Sequence, residues 1–410
     1  MPSWKRTYWA VWVANLTTAI GMMSFLPFFP TYLRELGLED ERAVAAWTGL
    51  IFGAAPLSAA FMSPLWGALG DRLGRKLMVV RALVAITVFV GCMGLVRSPW
   101  ELLLLRVLQG VFSGFVPPSI TLVSVAAPPD RQGSIAGSLQ VSLGVGAVIG
   151  PLLGAFVTTR YGSRTTFLVV STLSAASLLL VLLAAREEGE RRKDGGGRLS
   201  VGGLLAASVR DLAILWRNAR LRAAVVLLFW VQFGIGATNP LRELYVADLW
   251  RGDPERVPVL TASVVTLLAL TTIVALPLWG RYGDRKGHAL ALRRAAWWSS
   301  AGLLAHALVP LYFLLWPARV LLGGAAAGAG PATFGVAADE TPVERRGGAV
   351  GAVFSARALA VSLSAMSGGF LAGLIGIRGL FAAAAVALVL VVALPRRAPE
   401  GAAEPAPSCE

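Results

Sequence analysis

Apolar residues fall along this chain in long blocks rather than at alternating positions. Runs of 18 or more mostly apolar residues recur from end to end, separated by short polar segments. A run of that length crosses the roughly 30 Å hydrocarbon core of a bilayer as a helix. The pattern predicts twelve such spans. The first six lie near 8–33, 44–66, 77–96, 102–125, 137–160 and 166–185, and the second six near 223–247, 258–279, 293–314, 319–338, 349–375 and 379–395. Between the sets, Arg186 to Ser200 is charged and Gly-rich, as a solvated linker should be. A short surface helix is predicted over 204–215. The expectation is an all-α polytopic membrane protein: a six-helix half at 1–185, a cytoplasmic linker at 186–222, a second six-helix half at 223–395 and a tail at 396–410.

Composition supports this class. Charged residues make up 15% of the 410, against roughly 25% in soluble domains. No long stretch of ordinary composition appears, which argues against a soluble enzyme with an appended anchor. Cys92 and Cys409 are too few for a disulfide framework or a thiolate metal site. The first apolar run is too long for a signal core and lacks a clear cleavage site, so it reads as an uncleaved first helix.

Charge changes the picture by giving it an orientation. The net charge is +14. Placing both termini in the cytoplasm gathers most Lys and Arg on that side, including Lys5, Arg6, Arg72, Arg75, Lys76 and the cluster from Arg186 to Arg222. That is the positive-inside asymmetry, and it accounts for the basic balance without nucleic acid.

The chain also repeats itself. "PLWGALGDRLGRK" at Pro64 to Lys76 returns as "PLWGRYGDRKGHA" at Pro277 to Ala289. The offset of 213 residues also pairs Pro27 with Pro240, Tyr32 with Tyr245, Arg106 with Arg319 and Gly110 with Gly323. With one residue of slip it pairs Gly137 with Gly351. Two six-helix halves in parallel repeat, with a site in the cavity between them, are the architecture of secondary transporters.

These motifs resemble those of the major facilitator superfamily, along the whole chain. "GALGDRLGRK", Gly67 to Lys76, is similar to that family's signature between spans 2 and 3, and "LLLRVLQG", Leu103 to Gly110, to its span 4 motif. Gly137, Gly146, Gly150, Pro151 and Gly154 resemble the span 5 antiporter pattern, with Ala155 where its last glycine would stand. Ser364 and Ala365 replace Gly150 and Pro151 in the second half. The opening "WKR" and "LPFFPTYLRELG" look most like bacterial multidrug exporters of the drug:proton antiporter group. The resemblance implies a monomer in the bacterial inner membrane, exporting small amphiphiles in exchange for protons. A facilitator or importer of a small metabolite, such as a sugar or organic anion, is the alternative. The resemblance also implies a gate, with Asp71 meeting the start of span 11 near Arg345 to Gly351.

The residues point the same way. Gly67, Gly70, Asp71, Arg72, Gly74, Arg75 and Lys76 join tight turning to a charge cluster that can form in one conformation only. The second copy keeps Gly280, Asp284, Arg285 and Gly287 but has His288 and Ala289 in place of Arg75 and Lys76. The span 5 glycines permit close helix packing, expected against span 8, and Pro151 bends the helix. Gly49 and Gly53 share GxxxG spacing. Charges inside spans are functional candidates by default: Arg106, with Gln109 one turn away, and Arg357. Arg319 stands at the position equivalent to Arg106 but nearer an interface, and snorkelling is the alternative for both. Every Asp or Glu falls near a span end, Glu243 included, so the polar candidates for substrate or coupling are Asn15, Gln232, Asn239 and Glu243. His306, in span 9, is a candidate proton site, although a lone histidine is more often a packed one. Met22, Phe25, Phe229, Trp230 and Phe233 are candidate apolar contacts. No motif calls for a cofactor or metal. HExxH, paired acids inside spans and a serine–histidine constellation are all missing, which argues against an enzyme.

Overall fold

A computed structural model describes residues 3–114, 118–119, 122–123, 132–186, 218–341 and 346–393. The predicted linker helix at 204–215, the linker from 187 to 217, Arg345 and residues 394–410 lie outside the described residues, and the last predicted linker residues, 219–222, belong to span 7.

Twelve spans are present among the described residues. The first half holds span 1 (Ser3–Phe25 and Phe29–Glu35), span 2 (Glu41–Leu73), span 3 (Arg75–Met93), span 4 (Pro99–Phe112, helical again at 118–119 and 122–123), span 5 (Gln132–Tyr161) and span 6 (Ser163–Ala184). The second holds span 7 (Ala219–Thr238 and Arg242–Leu249), span 8 (Val257–Lys286), span 9 (His288–Leu308) and span 10 (Leu315–Ala326 and Ala329–Asp339). Spans 11 and 12 form one helical run, Arg346–Ala393, broken at Gly376, whose φ is 73°. An even number of spans puts Ser3 and Ala393, the first and last described residues, at one end of the bundle, here the basal end; the other is the distal end.

The duplication is visible in the backbone. Span 1 breaks into a 3-10 turn at Leu26–Phe28 around Pro27, and span 7 breaks at Asn239–Leu241 around Pro240, 213 positions later. Proline removes one helical hydrogen bond at the same point in each half. Gly74 and Gly287 turn with φ of 107° and 92°, and Gly162 and Gly376 with 83° and 73°. Side chains repeat as well. Tyr32 donates to Met93 O, and Tyr245 to His306 O. Trp66 donates through Nε1 to Val111 O, and Trp279 to Gly324 O, both at 2.7 Å.

Each half has its own core. One centres on Val11, Leu33, Val79, Leu83 and Val90, and the other on Leu228, Val231, Leu292, Leu303 and Leu388. Smaller clusters join the halves towards the distal end. Val44 and Ala45 of span 2 pack on Ala237 and Leu241 of span 7 and Ala372 at the end of span 11, and Phe28 packs on Ala155 and Ala262. Large apolar side chains on the outside, such as Leu183, Phe313 and Leu374, face the bilayer, where burial against protein is not needed.

One expectation changes. The charged repeat is not a ten-residue loop. Helix runs unbroken through Gly67, Gly70, Asp71 and Arg72 to Leu73, and only Gly74 turns. Gly74 N donates to Gly70 O and closes the helix, and the chain re-enters helix at Arg75. Gly70 serves close approach instead: a Cβ there would sit 3.1 Å from Met78 Cγ of span 3.

Candidate functional site

Arg106 is fully buried rather than snorkelling. Its Nε donates to Ile51 O at 3.1 Å, Nη1 to Gln109 Oε1 at 2.5 Å and Nη2 to Phe52 O at 3.4 Å. The Phe25 and Phe29 rings lie 6.0 and 5.6 Å from its guanidinium. The carbonyls come from span 2, so this arginine ties spans 2 and 4 together. Hydrogen bonds to a charged group contribute about 1.5–3 kcal/mol each. Gln109 also points its Nε2 at Met22 Sδ, 3.4 Å away, on span 1. Phe25 is core, 2% exposed and packed on Phe29 and Phe167.

Arg319, expected near an interface, is equally buried. Unlike Arg106 it has no hydrogen-bond acceptor among the described residues, and its Nε is shut away from solvent. Arg357 is accessible on span 11 and likewise has no hydrogen-bond partner among the described residues. Asn15 is buried in span 1 and accepts from Ser119 Oγ at 3.0 Å. Gln232 is half-buried without a described partner. Asn239 accepts from Arg242 Nη2.

Glu243 departs most from expectation. The break at Pro240 carries it inward, and only 2% of it is exposed. Its Oε2 accepts from Thr31 N at 3.2 Å and its Oε1 from Thr31 Oγ1. Thr31 belongs to span 1, so a buried carboxylate bridges the two halves. Near it, helix backbones make close contact across the halves. A Cβ on Gly53 would lie 2.7 Å from Ser362 O and 2.5 Å from Met366 Cγ of span 11, and one on Gly49 would overlap Ala365 O. The GxxxG pair is therefore the distal seam between spans 2 and 11.

The span 5 glycines face a different partner from the one expected. A Cβ on Gly146 would lie 2.8 Å from Leu16 O, and one on Gly150 would lie 2.6 Å from Ile20 O. Gly154 would overlap Ser24 O. These are backbone atoms of span 1, in the same half. Ser24 Oγ donates to Gly150 O at 3.0 Å across the seam. Span 8 meets the opposite side of span 5: Thr266 Oγ1 donates to Val148 O at 3.1 Å, and Ile273 sits against Gly144. The i, i+4 stripe points to whichever helix lies on that face, and sequence spacing alone does not name it. Gly137 lies in the same helix, with its surroundings outside the description.

Of the charged repeat, the side chains of Asp71 and Arg72 lie outside the described residues, as do those of 345–348 at the start of span 11, so the predicted gate contact does too. Lys76 donates to Leu182 O at 3.0 Å and caps the end of span 6. In the second copy, Gly280 has open space around it and Arg285 is exposed. His288 stands 2.8 Å from Asp339 through Nδ1 and 3.4 Å from Asp284 through Nε2. The second copy is thus pinned to the end of span 10, beside a cavity of about 430 Å³. Sequence reasoning passed over Thr31 and Arg242. The repeat register carried a signal for the second, because Arg242 stands where the first half has Phe29.

Comparison with known proteins agrees with this architecture. The model of the Major Facilitator Superfamily matches residues 11–249 and 257–408. "Multidrug resistance protein MdtG" of Proteus mirabilis is 30% identical over 334 residues, covering 80% of each chain. Two solved structures share the fold at low identity. One is a bacterial homologue of the human lysosomal transporter Spinster, inward-facing and unoccupied, with a TM-score of 0.76 and 17% identity over 96% of each chain. The other is the human organic anion transporter MFSD10, with a TM-score of 0.71 and 19% identity over 96% of this chain and 99% of that one.

Proposed function

Because the chain belongs to the Major Facilitator Superfamily, we propose that it exports small amphiphilic compounds, drugs among them, by alternating access in exchange for protons. The observation that carries the reading is Glu243. It is a buried carboxylate that takes both its hydrogen bonds from the other half. A carboxylate accepts two donors at once, whereas its protonated form keeps one oxygen as a donor and loses acceptor capacity. Protonation therefore weakens the distal seam, and a proton arriving from outside opens it. In this cycle the distal end faces the periplasm and both termini face the cytoplasm. At the basal end the first charged repeat, through Asp71, holds the complementary closure.

Everted membrane vesicles test this directly. Energised vesicles should accumulate lipophilic substrates, and an uncoupler should abolish the accumulation. Downhill movement that ignores the uncoupler would favour the facilitator reading. An engineered cysteine at Gly195 should resist impermeant labelling in intact cells, and external labelling would reverse the orientation.

A further inference from the structure

The two buried arginines at equivalent positions have opposite surroundings. Arg106 stands with Phe25, Phe29 and Gln109, and Met93 holds the place on span 3 that the register gives His306 on span 9. At the same register around Arg319 stand Thr238, Arg242, His306 and Leu322. Duplication thus replaced one aromatic ring by a second guanidinium, a thioether by an imidazole, and the satisfying amide by an alkyl group. Geometry brings the replacements together. A Cβ on Gly302 of span 9 would lie 2.9 Å from Leu322 Cα of span 10, which sets His306, one turn further on, beside Arg319. Tyr245, one turn after Arg242, donates to His306 O, and its ring packs on Phe381 against the His306 ring. Arg319 interacts electrostatically with Arg242, and His306 with both.

The two guanidiniums keep unmet donors, although Arg242 Nη2 donates to Asn239. Arg319 Nε, Arg242 Nε and His306 Nε2 are all buried and unpartnered among the described residues. His306 Nδ1 donates to Gly302 O at 2.7 Å, so Nε2 of the neutral ring is an unpartnered acceptor and not a donor. The nearby acids are engaged elsewhere: Glu243 with Thr31, and Asp248 with Arg378 at 3.7 Å. Burying two guanidiniums without a counter-charge is costly, and their unmet donors favour an anion. Arg242 is half-buried, so the cluster is reachable, while Arg319 behind it is not. Two turns or more inward on span 7, Phe229, Trp230 and Phe233 offer apolar aromatic surface.

We propose that Arg242 and Arg319, beside His306, form a binding site in the second half for the anionic head, carboxylate or sulfonate, of an amphiphile with an apolar body. The proposal rests on the export reading only in calling that amphiphile a substrate; binding stands by itself. Arg106, already satisfied by protein acceptors, takes no part.

The test uses the full chain in lipid nanodiscs and three probes of one shape: naphthalene sulfonate, naphthalene methanol and naphthyl trimethylammonium. Calorimetry should show the sulfonate binding at least about tenfold more tightly than the other two. Arg319→Gln and Arg242→Gln should each weaken it roughly 30-fold or more, as expected when one partner of a buried charge pair is removed. Arg319→Lys should retain part of the affinity. Without ligand, Arg319→Gln should unfold at the same or a higher temperature, because it removes an uncompensated charge. Equal binding of the three probes, or undiminished sulfonate binding in both Gln variants, would overturn the site. Chloride or phosphate alone matching the sulfonate would overturn the amphiphile assignment. Sulfonate that binds but is not moved by vesicles would leave the site standing and remove the export reading.

Discussion

Replacing Gly150 with alanine adds one methyl group in the middle of the span 1–span 5 seam. Its Cβ would lie 2.6 Å from Ile20 O and 2.6 Å from Met23 Cβ, and ordinary contact begins near 3.4 Å. The helices must part by the difference, 3.4 − 2.6 = 0.8 Å. Ile20 O is backbone and cannot swing aside. A gap of that size forfeits a quarter to a half of each contact along the seam, and each contact contributes about 0.1–0.2 kcal/mol. With about thirty atom pairs across the glycine stripe, the loss is roughly 1–3 kcal/mol, in the usual range for overpacking. The Ser24 Oγ to Gly150 O hydrogen bond lengthens as well. Thermal unfolding of the purified protein in one detergent reads the effect. Gly150→Ala should unfold several degrees below wild type. Gly144→Ala, whose Cβ would meet only the movable end of Ile273 at 3.2 Å, should cost less, and Gly280→Ala, with open space around it, should cost least. If all three unfold together, the stripe does not pack on span 1. If Gly144→Ala is the worst, the stripe's main contact is with span 8 after all.

Three further outcomes follow from named contacts. Trp66→Phe and Trp279→Phe each remove one indole hydrogen bond of 2.7 Å, so each should destabilise by about 1 kcal/mol; a large difference between them in urea or thermal unfolding would contradict equal roles in the repeat. Glu243→Gln keeps size but ends proton exchange, so uncoupler-sensitive accumulation should disappear while counterflow of substrate persists; intact proton-driven accumulation would remove Glu243 from coupling. Asp71→Asn should fold normally yet transport poorly, with Asp284→Asn milder; equal damage in a transport assay would refute an unequal gate.

The spans and their pairing were legible because each rests on local chemistry: apolar length for the helices, a 213-residue register for the halves, and Pro27 and Pro240 for the broken ends. The site was legible in part. Arg106 and Gln109 stand together as their spacing on one helix face requires. Glu243 looked like an edge acid because sequence shows its distance from the span end and not the turn at Asn239–Leu241 that carries it inward. Arg319 looked able to snorkel for the same reason, since burial depends on which neighbours close over a side chain. The glycine stripe on span 5 was found, and its partner was not: periodicity fixes a face and leaves open which helix lies across it.

What the duplication preserved and what it changed separate two kinds of residue. Contacts found in both halves are scaffold. Trp66 and Trp279 fasten the ends of spans 2 and 8 to spans 4 and 10, Tyr32 and Tyr245 fasten the broken spans, and Gly74 and Gly287 hold a backbone angle that other residues rarely adopt. The short polar stretch recurs because each half needs that turn. Contacts that differ are where the halves took separate work. Lys76 caps span 6, whereas the second copy binds span 10 through His288 and Asp339. Arg106 is quenched by carbonyls and an amide, whereas Arg319 faces a second arginine. Glu243 stands where the first half has Pro30, and it is the residue through which the second half grips Thr31, the neighbour of that proline. A transporter with identical halves would bind its substrate and its proton equally from both sides. The departures from symmetry cluster in the second half near the break of span 7, so that is where substitutions should alter selectivity and coupling without unfolding the protein.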